Sequence, residues 1–306
     1  MSGTRMRPVI FGEALFDRFP DGIDLLGGAP FNVAWHLAGL GYAPLFISRV
    51  GDDDNGKTIL DAMASWGMPV DGVQIDPARP TGQVRVSLGD DGPSYDIVAE
   101  QAYDFIHRDA ALAAVGETKP PLLYHGTLAL RTGVSLSALY GLRNLYRTET
   151  FVDVNLRAPW WSRQGVEQAI IGVNHVKLNH EELATLVGRP LDDEADLIAA
   201  AEGWRDERFL GSVTVTRGAD GAVTLTDDGV VVGPPAPVAA IEDTVGAGDA
   251  FAAAMIAGIL SGASPAATLR RGLSFAAAIC GRKGATSTDR TLYVETVAAW
   301  RAEEGP

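Results

Sequence analysis

Glu242-Asp-Thr-Val-Gly-Ala-Gly-Asp-Ala-Phe251 runs directly into an alanine-rich stretch that ends at Leu260, and no other segment of the chain is as telling. Small residues at 246–248 let backbone N–H groups crowd an anion. A helix starting near Asp249 aims the positive end of its dipole at the same point. Asp249 thus stands where the anion would sit. A carboxylate there reads in two ways: as a helix N-cap, a place Asp often fills, or as a base that takes a proton from an attacking hydroxyl. In the second reading Gly246, Ala247 and Gly248 supply the amide donors.

Far upstream lies Leu26-Gly27-Gly28-Ala29-Pro30-Phe31-Asn32-Val33-Ala34. Proline in a first turn marks a helix start. The two glycines leave room for a ligand close to the backbone, and Asn32 offers both a donor and an acceptor. Taken alone, the stretch is equally a plain loop-to-helix junction.

Between and around these segments, short apolar runs alternate with helix-like ones. Strands are expected at 9–11, 45–50, 122–124, 151–154, 175–178 and 212–216, and helices at 31–40, 56–66, 135–147, 163–172, 180–187 and 193–204. Such alternation predicts an α/β fold with a doubly wound, mainly parallel sheet covered on both faces by helices. Residues 82–100 break the rhythm, alternating apolar and polar on both sides of Gly89-Asp-Asp-Gly92, which is a hairpin pattern. Together with 13–26 they are expected to form a small antiparallel flap. A second hairpin is expected at 222–226 and 230–232, turning at Asp227-Asp228-Gly229. With no internal repeat and no long linker, residues 1–306 are expected to form one domain, with a β lid from about 13–26 and 82–105.

The 306 residues are 46% hydrophobic and 21% charged, an ordinary globular balance. A lone cysteine, Cys280, excludes an internal disulfide and a cysteine-based zinc cluster, so a reduced, cytoplasmic setting is expected. Met1 to Pro8 carry two arginines, with no apolar run of signal-peptide length after them. The Ala-rich stretches near 251–260 and 272–280 are short and broken by glycine, so they read as buried helices rather than membrane spans. A net charge of −14 argues against nucleic acid or an anionic membrane as partner. A polyanion would need a locally favourable site, which a helix N-terminus provides. His36, His107, His125, His175 and His180 show no metal-ligand spacing, and His125 is expected to pack. No Gly-x-x-x-x-Gly-Lys-[Ser/Thr] loop is present, and Gly12-Glu-Ala-Leu follows the first strand where a dinucleotide fold would place Gly-x-Gly-x-x-Gly.

Gly27-Gly28-x-x-x-Asn32 and Asp243-Thr244-x-Gly246-Ala247-Gly248-Asp249-Ala250-Phe251 resemble the N- and C-terminal signatures of the ribokinase-like, or PfkB-type, carbohydrate kinases. The resemblance spans essentially the whole chain. It implies ATP-dependent transfer of the γ-phosphate to a primary hydroxyl of a sugar, with Asp249 as the base, Mg²⁺ as cofactor and K⁺ as a monovalent activator. On the sugar side it implies Asp17 in Gly12-Glu13-Ala-Leu-Phe-Asp17, together with Gly27, Gly28 and Asn32. It adds Asn155 and Arg157 of Asp153-Val-Asn155-Leu-Arg157. For ATP it implies Asn179 of Asn179-His-Glu-Glu182, then Thr216, Gly218 and Gly221 of Thr216-Arg-Gly-Ala-Asp-Gly221, along with Gly246 and Gly248. Glu182 would organise Mg²⁺ indirectly. Arg282-Lys283-Gly284-Ala285 resembles a loop bordering the adenine, and Asp243, Val245, Ile279 and Gly284 match a monovalent-cation site.

The motifs are most similar to those of bacterial fructokinases, so fructose is the first expected substrate. Gln101-Ala-Tyr-Asp-Phe-Ile106 and Phe31 depart from that pattern and keep 2-keto-3-deoxygluconate and ribose as alternatives. The former would need an arginine, from Arg85 or Arg157. A catalytically degenerate sugar- or nucleotide-binding regulator is the non-enzyme alternative; it would lack the base or the glycines, and both are present. Trp160-Trp161 are expected to cover the sheet edge near the substrate loop. The flap's open edge predicts a homodimer paired there.

Overall fold

The computed structural model describes residues 6–89, 92–238 and 240–303. The expected turn residues Asp90 and Asp91 lie outside them, as do the first five of Met1 to Pro8. In chain order the first half comprises β1 (Val9–Phe11), β2 (Leu15–Arg18), β3 (Asp24–Gly27), α1 (Ala29–Gly39), β4 (Leu45–Gly51), α2 (Asp54–Trp66), β5 (Val73–Asp76), β6 (Gly82–Gly89), β7 (Gly92–Ile97), α3 (Arg108–Val115), β8 (Leu122–His125) and α4 (Gly133–Tyr146). The second half comprises β9 (Glu149–Asp153), α5 (Arg163–Ile170), β10 (His175–Asn179), α6 (His180–Val187), α7 (Glu194–Asp206), β11 (Ser212–Thr216), β12 (Ala222–Thr226), β13 (Gly229–Gly233), α8 (Ala247–Ser261), α9 (Pro265–Cys280) and α10 (Arg290–Glu303).

Nine strands form one sheet in the order β13-β12-β11-β10-β9-β8-β1-β4-β5. It is parallel from β11 to β5, and the β11–β12–β13 end is antiparallel. The apolar strand Val9-Ile10-Phe11 is buried on both faces, as parallel strands under helices must be. Ile10 joins a core with Phe31, Phe46, Phe251 and Phe275, on the side of α1, α8 and α9. Val9 and Phe11 face the opposite layer, with Ile47, Leu139 and Leu142. Alternation along one strand thus feeds two cores. Removing a side chain such as Phe46 would cost about 3–5 kcal/mol.

The alanine-rich stretch becomes α8, whose residues from Ala250 to Gly258 are all buried. Small residues permit the crowding: a Cβ on Gly258 would lie 2.7 Å from the Thr268 hydroxyl oxygen of α9. Among the described residues no helix is long and apolar enough to cross a membrane.

The lid is a four-stranded sheet in the order β3-β2-β6-β7. Its two hairpins are antiparallel, as expected, but the central pair β2–β6 runs parallel. Both strands leave the same end of the main sheet, one after β1 and one after β5, so they travel in the same direction.

Candidate active site

α1 and α8 pack side by side, and their N-termini arrive together at the ends of the central strands. Asn32 lies in the first turns of α1 and Asp249 in the first turn of α8. Across 217 residues of sequence, Asn32 Nδ2 donates to Asp249 Oδ2 at 2.7 Å. Glycine is required at both helix starts. Gly28 has φ 106°, and a Cβ there would fall 2.7 Å from the Glu13 carbonyl oxygen. Gly246 has φ 78°, and its Cβ would meet Ala285 at 2.4 Å. Asp249 is not the N-cap of α8; Gly246 is.

A cavity of about 460 Å³ opens at this junction. Asp17, Gly28, Asn32, Asn155 and Arg157 line one part of it. Asn179, Glu182, Thr216, Val245, Gly246 and Gly248 also border it, around Asp249. Gly27 lies just behind, where a Cβ would stand 3.7 Å from Asp17 Oδ2 and 3.9 Å from Asn32 Oδ1. Ala247, Gly218, Gly221, Asp243, Ile279 and Gly284 do not line the cavity. A Cβ on Gly221 would collide with the Gly233 carbonyl at 2.1 Å, so that glycine serves the β12–β13 packing. Of the two arginines considered for a carboxylate, Arg157 reaches the cavity, whereas Arg85 stays exposed beside Asp96 at 3.5 Å.

Other motif residues hold backbone in place. Asn179 and Glu182 cap α6 reciprocally: Asn179 Oδ1 accepts from the Glu182 amide and Glu182 Oε2 from the Asn179 amide, each at 2.8 Å. Glu182 Oε1 also accepts from the Leu156 amide at 3.1 Å, which fixes the loop carrying Asn155 and Arg157. Asp243 accepts from the amides of Val245 at 2.9 Å and Gly284 at 3.0 Å, tying the loop before α8 to the loop after α9. The Ile279 carbonyl accepts from the Arg282 amide at 2.9 Å. His125 is fully buried with Nδ1 on the Gly126 carbonyl, a packing role as expected. Trp160 donates to the Ile97 carbonyl at the root of the lid.

Sequence reading missed three side chains. Asp153 and Lys177 are register partners on β9 and β10, and Lys177 Nζ donates to both carboxylate oxygens at 2.9 Å. A Cβ on Gly248 would come within 3.2 Å of that ammonium, so Lys177 lies against the start of α8. Burial works against the Lys177 ammonium, but Asp153 more than offsets it and holds it charged. The third is Glu13, directly after β1, buried at 4% exposure and bordering the cavity. Its signal was present in Gly12-Glu13, at a strand end where ligands collect.

Five carboxylates thus border the cavity (Glu13, Asp17, Asp153, Glu182 and Asp249) against two cations, Lys177 and Arg157. Burial pushes the Asp17 carboxyl up to about 6 and that of Glu13 up to about 7. Burial also raises Asp249, and the Asn32 amide, Lys177 and Arg157 counter it. A start of α8 built from small residues and backed by Lys177 fits a phosphate chain. The carboxylates fit a polyhydroxyl ligand; among the described residues no three stand together so as to hold a metal ion by themselves.

A fold of this kind with this site is that of a phosphotransferase acting on small hydroxylated molecules. The family description "pfkB family carbohydrate kinase" matches residues 24–292. A fructokinase of Klebsiella pneumoniae is 32% identical over 275 residues, 84% of this chain and 85% of the relative. An ATP-dependent ribose-1-phosphate kinase of Halopiger xanaduensis is 30% identical over 277 residues, 90% of this chain and 86% of the relative. A double mutant of the Vibrio cholerae O395 fructokinase, solved with fructose, ADP and a potassium ion, superposes with TM-score 0.80. It has 25% identity, covering 96% of this chain and 99% of that one. The chain belongs to the pfkB family of carbohydrate kinases.

Proposed function

We propose that this kinase transfers the γ-phosphate of ATP to a primary hydroxyl of fructose, with Asp249 as the general base. The Asn32–Asp249 hydrogen bond at 2.7 Å carries the proposal, because it joins the sugar-side and phosphate-side signatures at one carboxylate. Asp249 keeps its second oxygen for the hydroxyl proton, while Asn32 fixes the orientation of the carboxylate. Asp17, Gly27, Gly28, Asn155 and Arg157 hold the sugar. The amides of 246–248 and the positive end of α8 stabilise charge that develops on the transferring group.

Asn179 and Thr216, which line the cavity, border the nucleotide, and Gly218 and Gly221 shape the strand-end loop that follows Thr216. Bound Mg²⁺ supplies countercharge for the phosphates. Both Glu182 oxygens are engaged by amides, which fits an indirect role in arranging that ion. Asp243, Val245, Ile279 and Gly284 would hold K⁺ on two loops already joined by the Asp243–Gly284 bond, and the ion would supply further positive charge beside α8. Exposed Ile23, Leu25 and Tyr95 on the lid support pairing of two copies there, and a monomeric mass by light scattering would count against it.

The fructokinase relatives support fructose over 2-keto-3-deoxygluconate and ribose. A coupled ADP-release assay over fructose, ribose, 2-keto-3-deoxygluconate, tagatose and a nucleoside tests the proposal. A dominant response to fructose that disappears in Asp249→Ala is expected. Preference for another sugar removes the substrate assignment; near-normal turnover by Asp249→Ala removes the mechanism.

A further inference from the structure

Two buried polar atoms on the sugar side of the site have no partner among the described residues: Glu13 Oε2 and Asn32 Oδ1. Leaving such an atom unpaired costs about 1–3 kcal/mol, so two in one place call for an explanation. Glu13 and Asn32 border the same cavity. Arg131 stacks over the Tyr103 ring at 5.2 Å and over the Trp160 ring at 4.4 Å. Its Nε and Nη2 are fully committed, to Asp104 at 2.6 and 2.7 Å and to the Val98 carbonyl.

Structural carboxylates in this protein look different from Glu13. Both oxygens of Asp53 accept hydrogen bonds, from Gly56 and Thr81, and both oxygens of Asp104 do likewise, from Arg131 and Gln101. Glu13 is as deeply buried as Asp104, at 4% against 0% exposure, yet one of its oxygens is unused. A carboxyl that only held the fold would not be left so.

We propose that Glu13 is a further sugar-binding residue, whose carboxyl reads one hydroxyl of the acceptor. The inference rests on the sugar-kinase reading but not on fructose. Burial is the main cause that lifts Glu13 to about 7; Asp249 adds to it, and Arg131 and Arg157 oppose it. Asp17, Asp153 and Asp249 border the same cavity, Asp153 being raised by burial to about 7 beside Lys177, and Tyr103 is raised far above neutrality by burial. Ionised, the Glu13 carboxylate accepts from a hydroxyl; protonated, it also donates.

The test uses the full-length enzyme, the sugar giving the fastest ADP release, and its monodeoxy analogues. Glu13→Met should raise the KM for sugar about tenfold or more, the worth of one hydrogen bond to an ionisable group. The kcat should stay within about threefold and the KM for ATP should not move. Removing one particular hydroxyl should penalise the wild type about tenfold and Glu13→Met hardly at all, the signature of a direct contact. Glu13→Gln should restore the KM for sugar while weakening its pH dependence near 7; the contributions of Asp153 near 7 and Asp17 near 6 should remain. An unchanged KM in Glu13→Met, or equal losses at every deoxy position, overturns the proposal. Should Glu13→Met not fold, a pH profile of the sugar KM in Glu13→Gln identical to that of the wild type overturns it. If no sugar is turned over, the proposed function fails instead, and calorimetric sugar binding by the same variants still decides on Glu13.

Discussion

Two sets of carboxylates meet at this cleft, and they are held in opposite ways. Glu182 and Asp243 have both oxygens engaged by backbone amides and draw loops together. Asp249 has one oxygen on Asn32, Glu13 has an orphan, and both carry carboxyls raised chiefly by burial. The first set ties loops together, and the second leaves oxygens without a hydrogen-bond partner among the described residues. The largest expected effect separates them. Asp249→Asn should lower kcat by about 10²–10⁴, the usual worth of a positioned base, and leave Tm unchanged or raised, because a buried carboxylate that resists ionisation is gone. ADP release and calorimetry on one sample check it; a Tm loss matching that of an anchoring variant would merge the two sets.

Acid should weaken the fold through two deeply buried histidines, His125 on β8 and His36 behind the anchoring loop, both held below the usual imidazole range by burial. His36 is fully buried, with Nε2 on the Ala285 carbonyl and Nδ1 on the Tyr293 hydroxyl, each at 3.0 Å, behind the loop that Asp243 ties down. Burial lowers its pKa to about 4. A base depressed in this way contributes stability that is present above its unfolded value near 6.5 and is lost as pH falls towards 4. By pH 5 the loss from His36 alone should be about 2 kcal/mol. Thermal melts from pH 7 to 4.5 should show the fall, and His36→Gln should flatten part of it. Next in size is Glu182→Ala, which leaves the Leu156 and Asn179 amides unpaired. It should cost about 1–3 kcal/mol, or about 2–4 °C in Tm per kcal/mol, with kcat reduced less than tenfold.

How legible all this was in the sequence depended on whether the signal was local. Strand–helix alternation and the two glycine-rich helix starts are local patterns, and the main sheet, α1 and α8 follow them within a few residues. β5, α3 and α10 escaped: Val73–Asp76 is short and has no alternating burial, Arg108–Val115 is short with a single buried residue, and Arg290–Glu303 carries its apolar residues among charges. The parallel β2–β6 pair was illegible because partner choice within a lid is set by where strands leave the main sheet. Asp153 stood inside a recognised motif, yet its pairing with Lys177 is a matter of register between β9 and β10, which no spacing along the chain encodes. The motifs already set Asp249 apart as the base and gave Glu182 an indirect part; the hydrogen bonds add that Glu182 ties the Leu156 loop to α6.

Asn32 tests the border between the two sets, because it anchors through one atom and keeps the other free. Its Nδ2 holds Asp249, while Oδ1 is buried without a partner. That bond favours the ionised form of Asp249 and opposes the upward push of burial. A base must be deprotonated to act, so activity is lost as pH falls through its folded pKa. In Asn32→Ala the counterweight disappears, Asp249 titrates higher, and the acid limb of kcat/KM should move to higher pH by about half a unit to one unit, roughly the 1 kcal/mol of a single hydrogen bond. Lys177 and Arg157 still oppose burial in the variant, which keeps the shift small. A pH profile of kcat/KM from 5 to 8.5 checks it. If kcat/KM falls equally at every pH and the limb stays fixed, Asn32 acts on the sugar alone and has no part in holding the base.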